Sequence, residues 1–167
     1  MTPALLARLD ALWAAHLHCQ PADLRSQNTL IFDDPNRTGA IVCLLSGTCV
    51  IAAAPLAAAA LRLSVGTRTP AQAFEPGRLR EAVAGFNLAL FGPNAVLAAT
   101  PKAEARNQIC WVESGLPGDQ LQQAATVADG IPMISIPMRL RLDRLAADQC
   151  GFRLYAAVIH LGEVTYP

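Results

Sequence analysis

The stretch Trp13-Ala-Ala-His-Leu-His-Cys-Gln-Pro21 holds His16, His18 and Cys19, two of the chain's three histidines and one of its five cysteines. Imidazoles and thiolates ligate zinc and serve as bases and nucleophiles in covalent catalysis. Either role needs the side chains to converge. If residues 3–18 are helical, positions two apart point to nearly opposite sides, and His16 and His18 cannot chelate one ion. His16 falls on the face of Leu5, Leu9 and Leu12 and is expected at the edge of the core. His18 is expected to face solvent or a loop. The stretch therefore reads as a helix terminus, with no metal site. A metal would need the helix to stop by about residue 16 and a distant third ligand such as His160.

Other reactive types are as scattered. No serine stands in a G-x-S-x-G elbow, and Leu44-Leu45-Ser46-Gly47-Thr48 reads as a turn. Asp33-Asp34 precedes Pro35 and reads as turn chemistry, not as a pair of acid–base carboxylates. The cysteines 19, 43, 49, 110 and 150 form no C-x-x-C pair, and several lie in apolar runs, where a free thiol acts as a small hydrophobe. Cys110 is expected in the core. A reduced, cytoplasmic compartment fits this pattern, and the N-terminus has no basic region followed by an apolar signal core.

The elements that must position any site can be read from pattern. The 167 residues suit one domain, 1–167, with an N-terminal helix and hairpin half (1–100) and a β-α-β-α-β half (101–167). Apolar residues make up 53% and charged ones 16%, which points to a homo-oligomer interface or a partner subunit. Thirteen basic residues, all Arg except Lys102, balance thirteen acidic ones without a basic stripe, so nucleic-acid binding has no electrostatic footprint. Ala40 to Leu61 carries no charge and is long enough to span a bilayer, but Ser46-Gly47-Thr48 breaks it into two strands, so no membrane span is expected.

Thr2-Pro3 starts a helix that runs to about residue 18. Arg8 and Asp10 are read as lying off its apolar face. Strands are expected over residues 29–32, 40–45 and 48–54, and an Ala-rich helix from Pro55 to Leu63. A helix is then expected from about 77 to 90, stopped by Gly92-Pro93, with Ala95–Thr100 as a short strand. Residues 107–114 read as a strand, 117–130 as a helix ended by Gly130, and 131–138 as a strand. A helix ended by Gly151 and a long last strand complete the order α-β-β-β-α-α-β-β-α-β-α-β. The fold class is α/β or α+β, a mixed, partly antiparallel sheet with helices on both faces.

"LDALWAAHLHCQPADLRS" resembles the opening of a subset of the GNAT superfamily of acyl-CoA-dependent N-acetyltransferases, in which a Trp-x-x-His-Leu-Gly-Cys-like helix end precedes a Pro and a hairpin. Here His18 stands where Gly is usual. The likeness continues through "GTCVIAAAPLAAAALR", "TPAQAFEPGRLREAV" and "GPNAVLAAT". It returns at the C-terminal end in "GIPMISIPMRLRLDRLAADQCGFRLYAAVIHL", a strand, helix, Gly-Phe and final strand. The resemblance implies a GNAT-like fold and acetyl-CoA or another acyl-CoA as cosubstrate. The pyrophosphate would lie on backbone N–H groups at a helix start. The corresponding loop is Glu113 to Ala124, and Val112, Gly115, Gly118, Asp119 and Gln120 would hold the cofactor.

The departures are specific. The Arg or Gln that opens the family's loop is missing, Glu113 and Asp119 add negative charge, and Pro117 removes a donor. The tyrosine that protonates the leaving thiolate would stand four residues before Gly151, where this chain has Ala147. Leu140 stands near the family's Asn. The middle of the acyltransferase core is also short.

For an acyltransferase acting on a small amine, Glu113 is the best-placed general base, with Tyr155 or His160 on the last strand as further candidates. Five apart on a regular strand, Tyr155 and His160 should face opposite sides. A non-catalytic GNAT-like module that binds a ligand or partner is the alternative. Other CoA-thioester chemistry, such as decarboxylation, is a further one.

Overall fold

The computed structural model describes residues 1–99, 126–128, 130–149 and 151–163. Among these, helix α1 spans Pro3–Leu17. Its start is set by Thr2, whose Oγ1 accepts the Leu5 N–H at 3.3 Å, and by Pro3 in the first turn, where its missing N–H costs nothing. A 3₁₀ turn follows at Pro21–Arg25. Strands β1 (Thr29–Asp33), β2 (Ala40–Leu45) and β3 (Thr48–Ala53) come next. Ser46 and Gly47, at φ 45° and 88°, make the tight turn between β2 and β3. The uncharged run from Ala40 thus becomes two strands and the start of a helix, and no helix among the described residues is long and apolar enough to cross a membrane.

Three helices, α2 (Pro55–Val65), α3 (Pro70–Ala73) and α4 (Pro76–Ala82), each open on a proline. Strand β4 (Leu88–Ala98) then precedes β5 (Thr126–Ala128), β6 (Ile131–Pro137), helix α5 (Arg141–Gln149) and β7 (Arg153–Glu163).

The strands form one mixed sheet in the order β1-β3-β2-β7-β4-β6-β5. Among the described residues only the β1–β3 pairing is parallel. The last strand enters between β2 and β4, so the two halves of the chain share one sheet. Strands β6 and β7 both run antiparallel to β4, which lies between them, so β6-α5-β7 is a β-α-β unit split by a third strand. The outer edge is covered: Arg62 on α2 donates to the Ile31 carbonyl and to Asp33, both at 3.1 Å, and blunts β1 as a template for further pairing.

Helix α1 covers one face of the sheet, burying Leu5, Leu9 and Leu17 against Ile41, Cys43, Val50 and Val158. Helices α2 to α4 cover the other face over Val42, Ile51, Ile159 and Leu161. Helix α5 lies on that second face further along, with Ala147 against Ala95, Leu97, Ile134 and Ile136. Each fully buried leucine stabilises the fold by about 2 kcal/mol.

Two expectations fail for a shared reason. Residues 77–90 were expected to form one helix ending at Gly92-Pro93; instead α4 stops at Ala82 and residues 88–98 form a strand. The ladder continues past Pro93 because the register with β7 shifts between Phe91 and Asn94, so the residue that lacks an N–H sits at an irregularity. The helix expected over 117–130 lies mostly outside the described residues, but its end is strand β5, paired with β6. Gly130, at φ 70°, turns the chain between them and does not stop a helix. In both places pairing with a neighbouring strand overrides local propensity.

Candidate functional site

Two clusters of described polar residues lie at α1. The first lies beneath α1. Asp10 is 8% exposed. Its Oδ1 accepts the Tyr155 hydroxyl at 2.8 Å and Arg25 Nη2 at 2.5 Å, and its Oδ2 accepts Arg25 Nε at 3.0 Å. Arg25 Nη1 reaches Ser46 Oγ at 2.7 Å, and the guanidinium lies 5.9 Å from the centroid of the Tyr155 ring. The Trp13 ring tilts over Tyr155 with centroids 6.0 Å apart. Four distant segments meet here: α1, the 3₁₀ turn, the β2–β3 turn and the last strand. Burial and the hydrogen bond to Asp10 push the Tyr155 phenol far above its ordinary range, while the Asp10 bond raises Arg25 further. The Asp10 carboxylate, the Tyr155 hydroxyl and the Arg25 guanidinium all engage one another, which suits a structural staple, while the Trp13 indole N–H above them is buried without an acceptor among the described residues.

Sequence reasoning placed Asp10 off the buried face, and the structure corrects this. Leu6, Asp10, Trp13 and Leu17 recur at helical spacing, and the three apolar members pack into the same core cluster as Tyr155. A carboxylate in the middle of such a stripe is the signal that was there to find.

The second gathering is at the C-terminal end of α1. His18 caps the helix at φ 54°, ψ 41° and is exposed. His16 is also exposed, with its ring edge-on to Trp13 at 5.8 Å, so it does not sit at the core edge with Leu5 and Leu9. Asp34, 3% exposed, organises the β1–β2 turn. It accepts Asn36 N–H at 3.1 Å and Arg37 Nε at 3.0 Å, with His18 Nδ1 at 3.6 Å. Arg37 Nη2 also donates to the His16 carbonyl at 3.2 Å, placing a cation at a helix C-terminus. Burial, then the charges of Arg37 and His18, lower the pKa of His16. Burial, then His16 and Arg37, lower that of His160. The three histidines thus share one end of the sheet. Among the described residues no group of three His, Cys, Asp or Glu side chains is placed to hold a metal.

Tyr155 and His160 face the same side, contrary to the expectation from regular strand geometry. Val96 pairs with Ala156 and Leu97 with Leu154, so Tyr155 is an extra residue and the alternation shifts by one. Tyr155 joins Ala156 and Val158 under α1, and His160 continues that face to the exposed rim. Five strand residues still separate them by roughly 16 Å. Glu113, Val112, Gly115, Gly118, Asp119, Gln120 and Cys110 lie outside the described residues. Burial raises the Cys43 thiol strongly, and pushes Cys49 up to about 12 and Cys19 to about 11, so none of the three is a thiolate at neutral pH.

Comparison of the chain with the models of known protein families, with curated proteins and with solved structures finds no match.

Proposed function

We propose that this chain is a non-catalytic binding module on an acyltransferase-like scaffold. The observation that carries the reading is the state of Tyr155. Its phenol is buried and donates a hydrogen bond to Asp10, which is itself held by Arg25. A general acid or base needs a group within reach of substrate and a pKa near the working pH; Tyr155 has neither. His160 is exposed but roughly 16 Å away, too far to share a reacting centre with it.

Two further points support the reading. At Ala147, where the resembled acetyltransferases carry the tyrosine that protonates the leaving thiolate, the side chain is 3% exposed and packed against the sheet. A phenol there would have to displace the core packed around Ala147. At His18, where those sequences carry Gly, the backbone takes the left-handed conformation that Gly adopts most easily. The N-terminal likeness therefore has a backbone rationale, while a piece of the chemistry is replaced by core.

The test is to incubate the purified chain with acetyl-CoA and a panel of small amines and to follow release of the free CoA thiol. No release above the uncatalysed rate is expected. Sustained release with any amine would restore the acyl-CoA-dependent N-acyltransferase reading and return Glu113 and the loop through Gly115 and Gly118 to the centre of the account.

A further inference from the structure

A cavity of about 230 Å³ opens between α5 and the sheet, lined by Leu97, Arg141, Arg144, Leu145, Asp148 and Leu154. Its chemistry is asymmetric. Leu97 and Leu154 are cross-strand partners and form an apolar floor. Leu145 and Leu154 are 53% and 59% exposed, large for leucines that share a cleft with a buried one. The rim is cationic. Asp148, the acidic residue among the described lining residues, is already engaged by Arg153 through its carboxylate and its backbone carbonyl. Arg141 and Arg144 have no carboxylate partner among the described residues. The Nε of Arg144 is buried and has no acceptor among the described residues. A buried guanidinium N–H without an acceptor is costly, and Arg144, which lines the cavity, would relieve that cost by turning its guanidinium to a ligand's oxygen.

We infer that this cleft binds a small amphipathic carboxylate. The carboxylate would take the Arg144 and Arg141 guanidiniums, which present forked donors matched to two oxygens. A short aliphatic chain would lie on Leu97, Leu145 and Leu154, removing their exposed surface from water. Mostly apolar walls with a few convergent polar groups are the usual make-up of a small-molecule site. The inference supplies a ligand class for the binding-module reading and rests on it.

Octanoate is the probe, with octanol lacking the charge and acetate lacking the chain. Binding is read by chemical-shift perturbation of the ¹⁵N-labelled protein. Octanoate should shift residues of α5, Leu97 and Leu154 in a saturable way, at least about tenfold more tightly than either control. Arg144→Gln should weaken octanoate by about tenfold with no loss of melting temperature, and Leu154→Ser, at an exposed position, should weaken it by a smaller factor. Octanol binding as tightly as octanoate, unchanged binding by Arg144→Gln, or no saturable shift at these residues would each overturn the site. The thiol-release assay separates the two claims. CoA turnover removes the non-catalytic reading whatever octanoate does. Failure of octanoate with no turnover removes this site and leaves the module reading to a partner.

Discussion

Arg25 and Arg144 are the same side chain in opposite circumstances. Arg25, under α1, gives Asp10 two hydrogen bonds and Ser46 a third. Arg144, on α5 across the sheet, buries its Nε with no acceptor among the described residues. The first guanidinium completes a network that ties the N-terminal helix to the last strand. The second leaves an unmet donor beside exposed leucines. Polar groups that are fully satisfied inside a fold hold it together, and those left unsatisfied beside a cavity are where a ligand is to be sought.

The contrast breaks most sharply at Asp10. Asp10→Ala leaves the Tyr155 hydroxyl and the Arg25 guanidinium without their shared acceptor and should destabilise the fold by about 3 kcal/mol in urea unfolding. Arg144→Gln should change stability by less than about 0.5 kcal/mol. Equal losses at the two positions would erase the distinction. Trp13→Ala comes next. The side chain is half-buried and covers Tyr155, so its removal should cost about 2–3 kcal/mol, below the loss for a fully buried tryptophan. A loss under about 1 kcal/mol would mean that the network does not need its apolar cover.

A smaller effect concerns pH. His16 and His160 have folded-state pKa values below the ordinary value of 6.5, from burial first and then from neighbouring positive charge. The unfolded chain therefore binds more protons between the folded pKa values and about 6.5. Stability should be full above that window and fall as pH drops through it. Urea midpoints measured at steps from neutral to mildly acidic pH check this, and His160→Gln should flatten part of the slope. A midpoint that rises on acidification would show the sign to be wrong. His18→Gly should stabilise by about 1 kcal/mol, because it relieves a left-handed backbone at a non-glycine residue. Lost stability there would show that the His18 contact with Asp34 outweighs the backbone cost.

How much was legible in the sequence differs between these regions too. Helix α1 was, because Thr2, Pro3 and the leucine spacing are local signals and the structure obeys them. So was the β2–β3 hairpin, since Ser46-Gly47 announces its own turn. Mixed architecture with helices on both faces followed from the element order. The strand through Gly92-Pro93 was not legible, because its hydrogen bonds come from β7 and β6, far along the chain. Tyr155 was singled out for its chemistry but assigned to the wrong face relative to His160, because a bulge is a property of the pair of strands and not of one. Asp10 carried its signal in plain spacing, yet its partners Arg25 and Tyr155 stand at separations that no periodicity reports.

The account turns on the Tyr155 proton, and that proton can be titrated. With ¹³C-labelled tyrosine, the chain gives two phenol signals, from Tyr155 and Tyr166, and Tyr155→Phe assigns them. Following both against pH measures the phenol that Asp10 is said to hold. The expected result is a Tyr155 signal that does not titrate before the protein unfolds in alkali. Ionisation of Tyr155 near or below the ordinary value of about 10 would contradict the account and return that residue to the list of catalytic candidates.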